Sequence, residues 1–160
     1  MRYCPKCSSK LITKIIENKK RRVCSREECQ YIYWNNPVPV VAILVEREGQ
    51  YVIARNQAWP EGIYSVITGF LEQKESPETA ALREVEEELG LTGNVRRHIG
   101  NYAFPEQNQI IMCYEVQATG DIKTNHELAD YKLLSKNELS EYDFNPLYIT
   151  RKIIADWLHM

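Results

Sequence analysis

A short acidic helix constrains this chain more than any other feature of its sequence. Ser76-Pro77 supplies a capping hydroxyl followed by proline at the first helical position, and Gly90 after Leu89 is a strong stop signal. At about 100° per residue, four apolar residues fall within one arc of about 100°: Ala81, Leu82, Val85 and Leu89. The sequence therefore predicts a helix over residues 77–89 whose apolar face packs against a core.

Three glutamates occupy the arc beside that apolar face. Glu84 and Glu88 lie one turn apart, with Glu87 between them, and like charges at that spacing destabilise a helix by about 0.2–0.5 kcal/mol. They are also near the C-terminal end, where the helix macrodipole disfavours anions. A divalent cation would offset this repulsion, because Mg²⁺ and Mn²⁺ prefer oxygen ligands and often bridge carboxylates to phosphates. From the helix alone, an acidic solvated face stays open as the simpler interpretation.

The residues before and within the helix follow a longer fixed pattern. Gly69 is followed by five residues, then Glu75, then seven residues, then the run Arg83-Glu84-Val85-Glu86-Glu87-Glu88-Leu89-Gly90-Leu91. This pattern resembles, at every specified position, the Nudix box: a glycine, five residues, a glutamate, seven residues and R-E-U-x-E-E-x-G-U, where U is aliphatic. By this resemblance the chain is identified as a member of the Nudix hydrolases.

The resemblance implies an α/β fold, the Nudix α/β/α sandwich with a mixed sheet, in which the box forms a loop, a helix and a loop. It also implies cleavage of a diphosphate joined to a nucleoside, assisted by Mg²⁺ or Mn²⁺, with AMP and a second phosphate-bearing fragment as products. Glu75 and Arg83 are expected to brace the box through their opposite charges. The implied ligands of the catalytic metal are the backbone carbonyl of Gly69 and the carboxylates of Glu84, Glu87 and Glu88.

The resemblance also points to two segments after the box. Many Nudix enzymes take a general base or a further metal ligand from a later loop, and Glu127 is the expected residue here, with Asp130 as the alternative. In the segment 101–109, Tyr102 or Phe104 is expected to stack on the substrate's base. Packing of these two rings on the core is the open alternative.

Four of the five cysteines form two closely spaced pairs, Cys4-x2-Cys7 and Cys24-x4-Cys29. The start of the chain does not look like a secretory signal, so we expect a cytoplasmic, reducing environment that favours metal ligation over disulfides. A tetrahedral Zn²⁺ would serve as the core of so short a segment, although redox or incidental cysteines stay open. The predicted organisation is a zinc ribbon over residues 1–34 and a Nudix domain over residues 35–160.

A zinc ribbon directly before a Nudix domain is similar to the arrangement in the NADH pyrophosphatase branch. Tyr33 and Pro37 match that branch's segment between the ribbon and the first strand. The branch's later motif, S-Q-P-W-P-F-P-x-S, is retained here only as Pro105, with Phe104 as an aromatic substitute. The implied substrates are therefore dinucleotides of the NADH, ADP-ribose or FAD type.

Charge is divided unequally along the chain. Residues 1–36 carry nine Lys or Arg and three Glu, a balance of +6, whereas the remaining residues carry eleven against nineteen, a balance of -8. The basic run 19–22, with Tyr31, Tyr33 and Trp34 after it, is a pattern found in proteins that bind single-stranded nucleic acid. The alternative function is thus an RNA-binding or RNA-decapping protein, although a solvated hairpin turn explains the run more simply.

Two further expectations concern assembly and surroundings. No apolar run reaches the roughly 18 residues of a membrane helix, so no membrane partner is expected. The ribbon is expected to buttress the fold or a homodimer.

Apolar runs and turn residues predict strands at Val38–Val45, Tyr51–Ala54, Ile63–Ile67, Ile110–Val116 and Tyr131–Leu134, and a closing helix at Leu147–Leu158.

Overall fold

The computed structural model describes residues 1–160, which form two compact units, Met1–Asn36 and Pro37–Met160. The first unit contains β1 (Leu11–Ile16), β2 (Lys19–Cys24) and β3 (Ile32–Tyr33). The second contains β4 (Val38–Arg47), β5 (Gln50–Asn56), β6 (Ile67–Phe70), α1 (Pro77–Leu89), β7 (Thr92–Phe104), β8 (Gln109–Thr119), β9 (Leu128–Leu134), α2 (Lys136–Glu141) and α3 (Tyr148–Leu158). None of the helices combines the length and apolar character needed to cross a membrane.

The first unit is a three-stranded antiparallel sheet in the order β1-β2-β3. Glu17 and Asn18 connect β1 to β2 with φ values of 50° and 61°, the backbone of a tight two-residue hairpin. The basic run 19–22 consequently lies within β2, so its interpretation as the hairpin turn is wrong. A small buried cluster of Cys4, Leu11 and Cys24 forms beside this sheet.

The second unit is built on a mixed sheet in the order β7-β8-β4-β5-β9. β4 and β8 are parallel, and the other pairs are antiparallel. Strand β4 changes partner along its length, because Val40–Ile43 pairs with β6 and Val45–Arg47 pairs with β5. β5 and β6 therefore pair with different segments of β4.

Helices cover both faces of this sheet. Because side chains alternate along a strand, β4 contributes Val41, Ile43 and Val45 to one buried cluster and Val40, Ala42 and Leu44 to another. The first cluster includes Val85 and Leu89 of α1, and the second includes Ile153 and Trp157 of α3. These three layers around a mixed sheet confirm the predicted α/β class.

Three elements differ from the sequence prediction. The third strand is β6 at Ile67–Phe70, whereas residues 63–66 form a loop held to β5 by paired backbone hydrogen bonds between Ser65 and Ala54 of 2.8 and 2.9 Å. The predicted strand at Ile63–Ile67 was therefore wrong in its bounds. The long strand β7 and the short helix α2 were not predicted at all.

Candidate active site

Helix α1 brings three acidic side chains beside β6. The Ser76 hydroxyl caps its first turn by accepting a backbone N–H at 3.2 Å, and Gly90 ends it in the left-handed conformation with a φ of 67°. The helix therefore has the bounds that its capping residues predict. Glu84 and Glu88 are only 9% and 6% exposed, whereas Glu87 is exposed. Burying two carboxylates is unfavourable unless a cation or hydrogen-bond donors compensate.

Arg83 is the single guanidinium within this acidic cluster. Its Nε and Nη2 donate to the two carboxylate oxygens of Glu75 at 2.9 and 3.0 Å, a bidentate pair. Its Nη1 donates to Glu84 at 2.8 Å and to Glu87 at 2.9 Å, and Nη2 also reaches the Phe70 carbonyl at 2.9 Å. These contacts raise the pKa of Arg83 and lower that of Glu75. Arg83 thus joins the loop before α1 to the carboxylates on α1.

Gly69 lies on β6 where the Glu84 side chain crosses the strand. A Cβ placed on Gly69 would overlap the Glu84 carboxyl group. The φ of Gly69 is not in the left-handed region, so space rather than backbone conformation requires glycine here. The close approach sets the Glu84 carboxylate directly against the β6 backbone.

The loop before β9 is fastened to the C-terminal end of α1. The Lys123 N–H donates to the Leu89 carbonyl at 2.8 Å, and the Asn125 N–H donates to the Glu88 carbonyl at 3.2 Å. These bonds satisfy carbonyls that a helix end leaves unpaired. The Asn125 side chain then accepts the Glu127 N–H at 2.9 Å, which directs the chain toward the acidic cluster.

The cluster carries more negative charge than its surroundings balance. Burial, reinforced by Glu84, Glu127 and Glu87, raises the pKa of Glu88 to about 8. Burial also raises the pKa of Glu84, although Arg83 opposes that effect. The same four carboxylates that disfavour one another are oxygen ligands of the kind that Mg²⁺ and Mn²⁺ prefer. Their chemistry therefore fits a divalent cation.

A cavity of about 640 Å³ opens beside the four carboxylates of Glu84, Glu87, Glu88 and Glu127. Cavities of this size are typical of small-molecule sites. Gly69 and Arg83 line it as well, and its remaining walls are mainly apolar. Those walls include Val40, Ala42, Trp59, Phe70, Phe104, Ile111, Leu147, Tyr148 and Ile153. One cavity thus combines an acidic wall with aromatic and aliphatic surfaces.

The structure separates the two aromatic candidates. Phe104 lines the cavity and packs edge-on against Tyr148, with ring centroids 5.9 Å apart. Tyr102 is 5% exposed, belongs to the core cluster beneath α3 and is not among the cavity-lining residues. Asp130 is likewise outside the cavity lining and accepts a hydrogen bond from Tyr64.

Sequence reasoning missed a part of the cavity that α3 supplies. Tyr148 lines it, and its hydroxyl donates to Glu106 at 2.7 Å. Ser65 and Thr150 also line it, with their hydroxyl oxygens 2.7 Å apart. Tyr148 and Thr150 begin the closing helix, but no spacing in the sequence reveals that its first turn faces residues 65 and 104.

The four predicted zinc ligands come together in the first unit. The sulfurs of Cys4, Cys7, Cys24 and Cys29 all lie within 4.8 Å of one another. The Cys4–Cys29 and Cys7–Cys24 sulfur distances are 3.6 and 3.4 Å, well beyond a disulfide bond of about 2.05 Å. Tetrahedral Zn²⁺ with Zn–S bonds of about 2.3 Å would place its sulfurs about 3.8 Å apart. The cluster therefore has suitable dimensions for such an ion.

Curated relatives of the chain act on capped RNA according to their names. It is 29% identical over 142 residues to the NAD-capped RNA hydrolase NudC of Vibrio vulnificus, covering 87% of this chain and 52% of that protein. It is 24% identical over 148 residues to the human NAD-capped RNA hydrolase NUDT12, covering 86% and 32%. The chain thus spans about half the length of the first relative and about a third of the second.

Solved structures share the fold at low sequence identity. The crystal structure of a NUDIX hydrolase from Nitrosomonas europaea aligns with a TM-score of 0.81 and 22% identity over 99% of this chain and 93% of that chain. The solution structure of the E. coli ORF135 protein gives a TM-score of 0.63 and 23% identity over 78% and 90%. A family profile described as NUDIX domain matches residues 35–157, most of the chain. The chain therefore belongs to the Nudix family of hydrolases.

Proposed function

We propose that this Nudix hydrolase cleaves the diphosphate of a dinucleotide of the NADH, ADP-ribose or FAD type with the help of Mg²⁺ or Mn²⁺. The products would be AMP and a second phosphate-bearing fragment. One observation carries the proposal: four carboxylates, two of them buried with raised pKa values, line a cavity large enough for a nucleotide. Among these substrates we favour an NAD-type diphosphate, free or at the 5′ end of an RNA, because the curated relatives are named for NAD-capped RNA.

The proposed metal-holding residues are those gathered at the acidic wall. They are Glu84, Glu87 and Glu88, together with the backbone carbonyl of Gly69. A divalent ion held there would neutralise the diphosphate and lower the pKa of the attacking water. Arg83 would keep two of the carboxylates in place, since it bonds both Glu84 and Glu87 while anchored to Glu75. Arg83 and Glu75 are therefore proposed as positioning residues.

Glu127 is proposed as the general base. It lines the cavity with the three glutamates, and the loop that carries it is bonded to the last carbonyls of α1. In the step, a water oxygen attacks one phosphorus while its proton passes to the Glu127 carboxylate. The bond from that phosphorus to the bridging oxygen breaks, and the other phosphate leaves with the electron pair.

The apolar walls are proposed to bind the nucleoside. Phe104 offers a ring face for base stacking, and Tyr148 fixes that ring from its edge. The buried hydroxyl pair of Ser65 and Thr150 would offer a donor and an acceptor to polar atoms of the base or ribose. Since its side chain lies in the core, Tyr102 is proposed to support Phe104 by packing rather than to touch the substrate.

We also propose that Cys4, Cys7, Cys24 and Cys29 hold a structural Zn²⁺, with a ribbon over residues 1–34 and a hydrolase domain over residues 35–160. Hydrogen bonds from Ser9 lower the pKa of Cys7 to about 6, whereas burial raises the pKa of Cys24 and Cys29, so a bound cation would be needed to hold all four as thiolates. The apolar cluster of this unit is small, so a bound ion would provide much of its stability.

The test is a product analysis with a matched pair of variants. The full chain would be incubated with NADH, NAD⁺, ADP-ribose, FAD or NAD-capped RNA and Mg²⁺ or Mn²⁺, and the products identified by mass spectrometry. Glu88→Gln should lower kcat by about 100-fold or more, whereas Glu86→Gln, an exposed residue on the same helix, should stay within about 2-fold. Equal activity of the two variants, or no cleavage of any dinucleotide, would contradict the proposal.

A further inference from the structure

One face of the β1–β2 hairpin carries cations that no acidic side chain balances. Directly paired residues of an antiparallel ladder project from the same face of the sheet. Lys14 pairs with Arg21 and Ile16 pairs with Lys19, so the three cations share one face. None of them forms an ion pair, and the only ion pair of this unit joins Arg26 to Glu28. The face is therefore positively charged without an internal counterion.

The pairing of cations on this face is electrostatically unfavourable without an anion. Like charges directly opposite one another on a ladder are destabilising, and Lys14 and Arg21 are such a pair. The whole unit has a balance of +6 from its side chains. Four cysteine thiolates around a Zn²⁺ ion would add -4 and +2, leaving about +4. The metal cluster thus leaves an excess of positive charge for an external anion.

An exposed aromatic ring borders the same cations. Trp34 is 42% exposed, and the Arg21 guanidinium lies over its ring with its central carbon 5.2 Å from the centroid. The Arg21 Nη1 also donates to the Trp34 carbonyl at 2.7 Å, which fixes the two residues together. Phosphate-binding cations beside an exposed aromatic surface are the combination that binds single-stranded nucleic acid.

The opposite face of the hairpin is less suited to this role. It carries Lys20 and Arg22, but the Arg22 guanidinium donates to the Met1 carbonyl. The aromatic residue there, Tyr33, is half-buried, and its hydroxyl donates to Asn35 at 2.7 Å. This face therefore lacks an exposed ring beside its cations, which distinguishes it from the face that carries Trp34.

We propose that Lys14, Lys19, Arg21 and Trp34 form a binding surface for single-stranded RNA, defined here as the hairpin face. The lysines and the arginine would contact successive phosphates, and a base would stack on Trp34. The choice of RNA among polyanions rests on the proposed function, in which an RNA carrying an NAD-type 5′ end is one substrate. Binding at the hairpin face would require a nucleic-acid chain and would not be shared by free dinucleotides.

The experiment measures binding of a fluorescent single-stranded 12-nucleotide RNA to the full chain by anisotropy over a series of salt concentrations. Lys14→Gln/Lys19→Gln is compared with Lys6→Gln/Lys20→Gln, which makes the same charge change at exposed positions off the hairpin face. Losing two phosphate contacts should reduce the slope of log affinity against log salt concentration by about 1.4. At 0.1 M salt this corresponds to a loss of about 25-fold in affinity. The control pair should lose less than about 3-fold, and Trp34→Leu should lose at least about 5-fold with little change in slope.

Zinc content and circular dichroism of each variant establish that the ribbon is intact. Equal weakening by the two lysine pairs, or absence of RNA binding by the wild type, would overturn the inference. So would binding of phosphatidylglycerol vesicles through the same lysines without binding of RNA. The Glu88→Gln variant separates the two proposals, because it should lose hydrolysis and keep RNA affinity. Hydrolysis of dinucleotides without RNA binding would overturn only the proposal that the hairpin face binds RNA, and not the proposed function.

Discussion

Replacing Gly69 by alanine should disable the acidic cluster while leaving the fold intact. The added methyl group would occupy the space of the Glu84 carboxyl group, so that carboxylate must move. The backbone of Gly69 accepts an L residue, and the overlap is confined to the Glu84 side chain from Cγ outward, so we expect that side chain to move rather than the strand. A displacement of about 1 Å at a catalytic group can cost about 100-fold in rate, which corresponds to about 2.7 kcal/mol in activation free energy.

The assay combines Mn²⁺ titration by electron paramagnetic resonance with kcat measured on the dinucleotide that the product analysis identifies. If Gly69 acts through Glu84, then Gly69→Ala, Glu84→Gln and the double variant should have similar kcat values, because each removes the same carboxylate from its place. Fully multiplicative losses in the double variant would refute this coupling. A Gly69→Ala variant with wild-type Mn²⁺ affinity and kcat would refute the steric argument itself.

Three other variants probe separate parts of the structure. Arg83→Lys should lower kcat by about 10-fold or more, because an ammonium group cannot keep both the bidentate bond to Glu75 and the bonds to α1. Arg83→Gln should lose activity as well. If Arg83→Gln lost activity and Arg83→Lys kept it, positive charge alone would suffice and this prediction would be contradicted. Phe104→Leu should raise KM by about 10-fold with kcat nearly constant, and an unaltered KM would remove the stacking role. Trp157→Ala should cost about 3–5 kcal/mol in urea unfolding, since Trp157 is 2% exposed and packs edge-on against Tyr51; a loss below about 1 kcal/mol would contradict its place in the core.

Local signals in the sequence account well for α1 and for the placement of its glutamates. Ser76 and Gly90 mark the helix ends, and both act within one turn, so the bounds follow without knowledge of the fold. The spacing of Glu84, Glu87 and Glu88 places them on one side of the helix, and the resemblance to the family added Glu75, Arg83 and Gly69. The close approach of Gly69 to Glu84 explains on steric grounds why the first position of the box is glycine.

Features that depend on tertiary contacts could not be predicted from the sequence. Residues 63–66 are apolar enough for a strand, but they pack into the core as a loop, and pairing with β4 begins only at Ile67. Strand β7 contains two irregularities in its pairing with β8, near Arg97 and Gly100, and the alternation that would have revealed it changes phase at Gly100. The wall supplied by Tyr148 and Thr150 depends on how α3 docks against the sheet.

The bonds from Lys123 and Asn125 attach the loop to the end of α1 at two points. Glu127 should therefore keep its distance from the carboxylates of α1 even if the sheet around them shifts. Chain length can then vary safely only upstream of that attachment, near Gly120 and Asp121. Inserting a single residue between Asn125 and Glu127 should swing the last acid out of reach, although nothing in the core would change.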